Sequence, residues 1–222
     1  MLNGKPRSGG AFLLPVYNPR MHITQYWQGP EPENLAAILA SYRAHNPGAH
    51  YRLYDRAAAA AFIGEHYGAR ESSAFRQCAV PAMQADYFRY CAVLALGGFY
   101  VDADMSCLAP MHISPGFDGL LYQRENGNVI NAFLGFRAPG HPLLAAALEI
   151  ATRGIEQRYS NDVWLVTGPG IFTYLRYMTV SELSKPPTAS KARRVVTRLR
   201  PGWNSFVRSG LRAGCQLNQQ AQ

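Results

Sequence analysis

The chain has 222 residues, a formal net charge of +8, 48% hydrophobic residues and 16% charged residues. These values are typical of one globular domain with a sizeable core. The longest uncharged apolar run, residues 91–101, is about half of the roughly 20 residues that a membrane-spanning helix needs. No segment repeats with a period of about 20–50 residues, which excludes a solenoid or a propeller.

The charge is unevenly distributed. Residues 1–184 carry 14 basic and 14 acidic side chains, whereas residues 185–222 carry eight basic side chains and no acid. Such a segment could bind an anionic membrane, a nucleic acid or a phosphorylated substrate, or it could be a solvated end without a partner. The neutral body and the absence of a nucleic-acid recognition module argue against nucleic acid.

We therefore expect three parts: a flexible segment over residues 1–20, a folded domain over 21–184 and a basic C-terminal segment over 185–222. The first part is rich in Gly and Pro, and its short apolar stretch is interrupted by Pro15, which argues against an export signal. The four cysteines form no C-x-x-C pair, and no H-E-x-x-H sequence occurs. We expect reduced, mostly buried thiols in a cytoplasmic protein.

Strands and helices alternate in the first half of the chain. β-Branched and aromatic residues predict strands over 22–27, 51–54 and 99–101. Apolar residues at helical spacing predict helices over 31–45, from the capping residue Asp55 to about residue 67, and over 82–95, where Gly97 and Gly98 end the helix. This alternation is typical of an α/β domain with a largely parallel sheet.

The second half continues with two strands, predicted over 119–122 and 129–136, and a helix from the His141-Pro142 pair to about residue 157. A turn at residues 167–170 should precede a short helix that ends at about residue 178. Residues 195–199 are typical of an edge strand.

Two aspartates separated by one residue, Asp102 and Asp104, follow the strand predicted over 99–101. Carboxylates this close raise each other's pKa unless a cation or hydrogen bonds compensate. In α/β sheets, ligands gather beyond the carboxyl ends of the strands. Mg²⁺ and Mn²⁺ bind one or two carboxylates and complete their coordination with phosphate and water oxygens. The pair indicates a site for a cation and a phosphate, although exposed turns without function often have the same pattern.

Asp86 and Arg89 lie three residues apart on the helix predicted over 82–95, so they project from one face. One interpretation is a structural ion pair. The other is that the carboxylate accepts hydrogen bonds from sugar hydroxyls and the guanidinium binds a phosphate or sugar oxygen. The glycine turn that follows brings this helix close to the strand that carries the two aspartates.

The segment from Ala85 to Asp104 resembles the core of DXD-containing glycosyltransferases of the family 32 type. An A-D-x-x-R-Y helix, an L-x-x-G-G-x-Y strand approach and the D-x-D end agree in order and spacing. Further similarities extend the resemblance over roughly residues 21–180. Residues 23–27 resemble the family's first strand, and residues 45–47 and 51–55 resemble its second helix–strand unit. Residues 131–133 with 141–142 resemble its N-x-h and H-P segments, and residues 167–169 resemble its T-G-P segment.

The resemblance implies an α/β GT-A fold, a Rossmann-like nucleotide-sugar-binding domain over 21–184 with a mixed, mainly parallel central sheet. It implies a retaining glycosyltransferase that uses Mn²⁺ or Mg²⁺ and moves a hexose from UDP-hexose or GDP-mannose to a glycan or lipid-linked acceptor. Yeast initiating α-1,6-mannosyltransferases, bacterial capsular and lipooligosaccharide sugar transferases and glucosylating-toxin catalytic domains are of this type. Cell-envelope or capsular polysaccharide synthesis in a bacterium is therefore the expected setting.

The resemblance also assigns the catalytic residues. By position, Asp104 would bind the metal directly, and Asp102 would contact the ribose or the metal's coordination shell. Asp86 and Arg89 would hold the donor sugar.

Four further positions are implied to bind the nucleotide sugar. Trp27, at the end of the first strand, would stack near the nucleobase, and Tyr100 would line the donor site. Asn131 and Gly168 are assigned only by their place in the downstream segments.

The expected chemistry suits these residues. Breaking the sugar–phosphate bond develops negative charge on the diphosphate, which a cation and Arg89 stabilise without a covalent step. No nucleophile is evident in the matched region. The acceptor is therefore expected to attack from the face of the leaving group, with the leaving phosphate as base.

The C-terminal part departs from the family pattern. Members usually continue past T-G-P with a loop that bears His or Asn/Asp and with a tryptophan that closes over the donor. Residues 185–222 contain neither acid nor His, and Trp203 and Asn204 are the candidates for a lid aromatic and an oxygen ligand. The alternative hypothesis is a protein that binds nucleotide sugars or polyanions without catalysis, on a degenerate or truncated GT-A fold. A cytoplasmic location, with residues 185–222 against the anionic inner face of the membrane, is expected.

Overall fold

The computed structural model describes residues 21–113, 117–124, 127–175 and 215–216. The predictions for residues 1–20 and 195–199 lie outside the described residues, as do Trp203 and Asn204. Only the backbone at 215–216 is described within the basic segment. The expected division into three parts stays a prediction.

In this described part, seven strands and seven helices follow one another along the chain. They are β1 (His22–Tyr26), α1 (Leu35–His45), β2 (His50–Tyr54), α2 (Arg56–His66), α3 (Ala69–Gln77), α4 (Pro81–Leu96), β3 (Gly98–Val101), β4 (Ser106–Cys107), β5 (Gly119–Gln123), β6 (Val129–Phe136), α5 (Pro142–Gln157), α6 (Val163–Val166), α7 (Pro169–Leu175) and β7 (Cys215–Gln216). The strands and helices predicted between residues 22 and 175 are confirmed. Four short elements, α3, α6, β4 and β7, were not predicted.

The central sheet has five strands in the order β2-β1-β3-β6-β5. β1 is parallel to β2 and β3, and β6 is antiparallel to β3 and β5. Four strands therefore run in one direction and β6 runs against them, which confirms the mixed, mainly parallel sheet. β4 and β7 pair in a separate antiparallel ribbon.

Side chains alternate between the two faces along each strand, and an apolar cluster covers each face. Tyr100 of β3 points into the larger apolar cluster, which contains residues of α2, α4, α5 and α7. Phe99 and Val101 point to the other face, where Ile38 and Tyr42 of α1 pack together with residues 105–111. The sheet is thus the middle of three layers.

Helix α4 carries the polar residues of the site into the interior. Pro81 lies in its first turn, and Gly97 closes it with a φ of 67°. A Cβ on Gly98 would lie 2.3 Å from the His22 carbonyl oxygen, so β3 approaches β1 through a glycine. Because α4 turns directly into β3, the N-terminal half of α4 lies beside the carboxyl end of β3. Asp102 and Asp104 follow that end.

Helix α3 shows why a short polar helix escaped prediction. Its sequence buries only Ala74 and Phe75. The Arg70 guanidinium bridges Glu149 at 2.6 Å and Glu156 at 2.8 Å, both on α5. This support comes from residues about 80 positions away and leaves no local pattern.

Cys78, Cys91 and Cys107 are buried free thiols, as expected. The longest described helices, α4 and α5, have 16 residues each, and in the described part of the chain no helix has the length and apolarity to cross a membrane.

Candidate active site

Polar side chains from four elements meet at one edge of the central sheet. This edge contains the carboxyl ends of β1 and β3 and, because β6 is antiparallel, the beginning of β6. The N-terminal half of α4 and the turn between α6 and α7 complete it. Such an edge is where α/β folds bind ligands.

Arg89 lies at the centre of this cluster and is only 3% exposed. Its Nη2 lies 2.9 Å from Asp102 Oδ1 and 3.1 Å from Asp86 Oδ1, and its Nη1 donates to the Asn131 carbonyl oxygen at 2.5 Å. The guanidinium also lies over the Tyr100 ring, 4.6 Å from the ring centroid. The fixed Arg89 guanidinium therefore links the predicted carboxylates of Asp86 and Asp102 to the sheet.

Asp86 is 6% exposed and accepts hydrogen bonds from Asn131 Nδ2 at 2.8 Å and from Thr167 Oγ1 at 3.4 Å. Burial raises the pKa of Asp86 to about 6, although Arg89 opposes the shift. The structure therefore brings Asp86 and Arg89 together as predicted and encloses the carboxylate in protein contacts. Its proposed contact with the donor sugar stays a prediction.

Asp102 lies between the buried cluster and solvent, with a side chain that is 31% exposed. Its backbone N–H donates to the Ala132 carbonyl at 2.9 Å, which fixes the turn to β6. Burial and the neighbouring Asp104 raise the pKa of Asp102, whereas Arg89 lowers it. Asp104 itself is exposed and pairs with no hydrogen-bond donor or cation among the described residues.

The donor set fits a Mn²⁺ or Mg²⁺ ion that completes its coordination with phosphate and water. Asp104 is exposed and unpaired among the described residues, and the side chain of Asp102 is partly exposed. Within residues 21–113, 117–124 and 127–175, no group of three or more His, Cys, Asp or Glu side chains could hold a metal. A full protein cage of the zinc or calcium type is thus absent from the described residues, whereas Mg²⁺ and Mn²⁺ need only one or two carboxylates.

Tyr100, on β3, packs against the Arg89 guanidinium. Its ring stacks under Arg89, and its buried hydroxyl interacts with the Asp102 carboxylate without meeting hydrogen-bond geometry with any described group. Burial raises the pKa of this hydroxyl well above its usual value, so Tyr100 stays a neutral phenol. Its predicted role in lining the donor site stays a prediction.

The contacts that hold Asp86 were not predicted from the sequence. Asn131 donates to Asp86 and also to Tyr90 Oη at 3.0 Å, and Tyr90 in turn donates to the Thr167 carbonyl. Asn131 is 3% exposed, so its contacts in this structure are with protein groups. The N-x-h and T-G-P segments marked Asn131 and Thr167, but no sequence signal pointed to their contact with Asp86, 45 and 81 positions away.

Trp27 is half-buried at the end of β1. Its indole N–H donates to the Pro30 carbonyl at 3.2 Å, and its backbone N–H donates to the Tyr54 carbonyl at 2.9 Å. It lies at the expected sheet edge, outside the hydrogen-bonded cluster around Arg89. Stacking on a nucleobase stays a prediction.

Gly168 is required by packing. A Cβ there would lie 2.8 Å from Trp164 Cα and 2.9 Å from the Val163 carbonyl oxygen, both backbone atoms. Its own carbonyl accepts from Tyr90 Oη at 3.3 Å. Gly168 thus shapes the turn that presents Thr167 to Asp86, and its assignment to donor binding stays a prediction.

The Gly168→Ala variant is expected to lose about 1–3 kcal/mol of unfolding free energy, because backbone atoms must move to admit the methyl group. Gly48→Ala is the matched control, since nothing lies within 4 Å of a Cβ at that position. We expect the control to stay within about 0.5 kcal/mol of wild type in urea denaturation. Equal midpoints for the two variants would show that the turn relaxes freely.

Comparison with known proteins bears on the family and on the fold. Residues 32–125 match the family model for the glycosyltransferase sugar-binding region containing the DXD motif. A solved structure titled PaToxG glycosyltransferase superposes with a TM-score of 0.57 at 16% identity and covers 70% of this chain and 67% of its own. A solved transferase mutant gives a TM-score of 0.45 at 11% identity and covers 82% of this chain and 93% of its own. No curated protein sequence matches significantly. The family model matches 94 of the 222 residues, and the likeness to the PaToxG structure supports the fold.

Proposed function

We propose that this DXD-motif glycosyltransferase of the GT-A type transfers a hexose from a nucleoside diphosphate sugar, in a metal-dependent reaction that retains the anomeric configuration. The observation that carries the proposal is the exposed Asp104 beside an Asp102 carboxylate that Arg89 holds at 2.9 Å. UDP-hexose or GDP-mannose is the proposed donor class.

The charges of the site support a divalent cation. Asp86, Asp102 and Asp104 with Arg89 leave a formal charge of −2 when all are ionised. When bound, Mn²⁺ or Mg²⁺ supplies positive charge against the diphosphate leaving group. Arg89 adds a charge that is fixed in place before the reaction, because four protein groups hold its guanidinium.

The enclosed position of Asp86 supports a retaining course without a covalent intermediate. Asp86 is enclosed by Arg89, Asn131 and Thr167, which leaves it unsuited to attack an anomeric carbon. In the proposed step, an acceptor hydroxyl oxygen forms a bond to the anomeric carbon on the face from which the nucleoside diphosphate departs. The carbon–oxygen bond to the phosphate breaks, and the hydroxyl proton passes to the leaving phosphate oxygen.

The acceptor is proposed to be a glycan or a lipid-linked sugar of a bacterial cell envelope or capsule. The support is the family resemblance together with the eight basic side chains of residues 185–222, which suit an anionic surface. We place the reaction in the cytoplasm, with that segment against the inner face of the membrane.

Donor hydrolysis tests the proposal without knowledge of the acceptor, because a transferase can pass its sugar slowly to water. UDP-glucose, UDP-galactose, UDP-N-acetylglucosamine and GDP-mannose are each incubated with the full chain and Mn²⁺, and released UDP or GDP is measured. We expect release from one donor and its loss when a chelator replaces Mn²⁺.

Two results would contradict the proposal in different ways. Release that persists in chelator would remove the metal from the mechanism. No release from any donor, combined with Mn²⁺-dependent thermal stabilisation by UDP or GDP, would favour the non-catalytic nucleotide-sugar-binding protein.

A further inference from the structure

The turn that carries the two aspartates is held from the opposite face of the sheet. The Met105 N–H donates to the Asp102 carbonyl at 3.2 Å and closes the turn. Gln25 Nε2, on β1, donates to that same Asp102 carbonyl oxygen at 3.2 Å. Tyr42 Oη, on α1, donates to the Met105 carbonyl oxygen at 2.6 Å. Both ends of the turn are thus fixed through main-chain carbonyls, and the side chains of Asp102 and Asp104 stay out of these bonds.

Gln25 is itself held in one orientation. Its Oε1 accepts the Tyr51 hydroxyl at 2.6 Å, so its Nε2 faces the Asp102 carbonyl. The Arg43 guanidinium lies over the Tyr51 ring, 4.6 Å from the centroid. Gln25 and Tyr42 are both fully buried. Because the Gln25 amide and the Tyr42 hydroxyl are buried and hydrogen-bonded, they restrict the turn more than apolar packing would.

The same helix secures the chain beyond the turn. Ser41 Oγ accepts the Cys107 N–H at 2.9 Å, and Asn46 Oδ1 accepts the Met111 N–H at 2.8 Å. Helix α1 with its capping residue Asn46 therefore holds three points between residues 105 and 111. These hydrogen bonds extend the support of the chain by α1 from Met105 to Met111.

We propose that Gln25 and Tyr42 are positioning residues for the metal, which fix the Asp102–Met105 turn so that both carboxylates face one cation before it binds. The inference rests on the proposed metal-dependent function. A turn that is already ordered loses less conformational entropy when the ion binds, and residues that orient ligands typically change metal affinity about 10–100-fold.

Tyr42→Phe removes only the hydroxyl and tests the proposal directly. Tyr67→Phe is the matched control, because Tyr67 Oη also donates to a main-chain carbonyl at 2.6 Å, that of Cys91. Free Mn²⁺ is titrated by its EPR signal with each full-length variant in the presence of UDP. We expect about tenfold weaker Mn²⁺ binding for Tyr42→Phe, unchanged binding for Tyr67→Phe and similar small falls in Tm for both.

Gln25→Met gives a second, independent arm that keeps side-chain length and loses the donor to Asp102. Combining it with Tyr51→Phe removes the hydroxyl that would lose its partner. We expect weaker Mn²⁺ binding in both forms. In donor hydrolysis, the Mn²⁺ concentration for half-maximal rate should rise while the rate at saturating Mn²⁺ stays close to wild type.

The outcomes separate this inference from the proposed function. Wild-type chain that binds no Mn²⁺ with UDP present would overturn both. If the wild-type chain binds Mn²⁺ and both Tyr42→Phe and Gln25→Met bind it with the same affinity, the positioning role alone is overturned. If one variant fails to fold, the other decides.

Discussion

Asp104→Asn is expected to reduce metal-dependent donor hydrolysis by about 10³-fold and to leave the fold intact. The effect on the reaction is large because an amide cannot replace the anionic oxygen that a hard divalent cation prefers, and charge stabilisation of the leaving group is lost with the ion. The effect on stability is small, within about 0.5 kcal/mol, because Asp104 is exposed and pairs with no described residue.

Glu65→Gln is the matched control, an equally conservative exchange at an exposed carboxylate on α2. The two variants are compared in donor hydrolysis and in the thermal shift given by UDP with Mn²⁺. A ligand at about 100 times its Kd stabilises a fold by about 2.7 kcal/mol, and Asp104→Asn should lose the Mn²⁺-dependent part of that shift. If Asp104→Asn retained metal-dependent turnover, the exposed half of the D-x-D motif would not be a metal ligand.

The sequence predicted those parts of the site whose residues lie close together along the chain. Asp86 and Arg89 share a helical turn, so their ion pair at 3.1 Å could be expected from spacing alone. Asp102 and Asp104 follow a strand whose end defines a ligand-binding edge. Strand and helix alternation likewise predicted the α/β class, because each of the longer elements has its own local pattern.

The parts that sequence missed depend on contacts between distant positions. Nothing near Asn131 indicates that its amide meets Asp86, and nothing near Tyr42 indicates that its hydroxyl meets the Met105 carbonyl. Such pairs become neighbours only when the strand order is known. The strand order follows from packing on both sheet faces, which one sequence does not reveal.

Arg89→Met is expected to destabilise the fold by about 3–5 kcal/mol at pH 8, since it leaves Asp86 ionised and buried without its cation. The loss should be smaller at pH 5. Burial has already raised the pKa of Asp86 to about 6, and removing Arg89 raises it further. A carboxyl whose pKa is raised by folding favours the fold when protonated, so its contribution to stability falls as pH rises through the folded pKa.

Arg70→Met is the control for loss of an arginine and its ion pairs. Arg70 bridges Glu149 and Glu156, but its side chain is 42% exposed, so solvent screens the pairs and we expect a loss of at most about 1 kcal/mol. Unfolding free energies are measured in urea at pH 5 and pH 8. Equal losses for the two arginines, or an Arg89→Met loss that does not grow with pH, would contradict the role of Arg89 as the compensating charge.

A double-variant cycle separates charge compensation from packing. If the cost of Arg89→Met at pH 8 is mainly an unpaired carboxylate, then Asp86→Asn in the same chain should recover a large part of it, because Asn carries no charge. The neutral amide can still pair with Asn131 and Thr167, which bind Asp86 in the wild type. The recovered protein should fold without turning over a donor, since it lacks the guanidinium proposed to stabilise the leaving diphosphate. Recovery of stability would therefore show that Arg89 balances the buried carboxylates of the fold, and inactivity of the recovered protein would agree with a further role of the Asp86–Arg89 pair in the reaction.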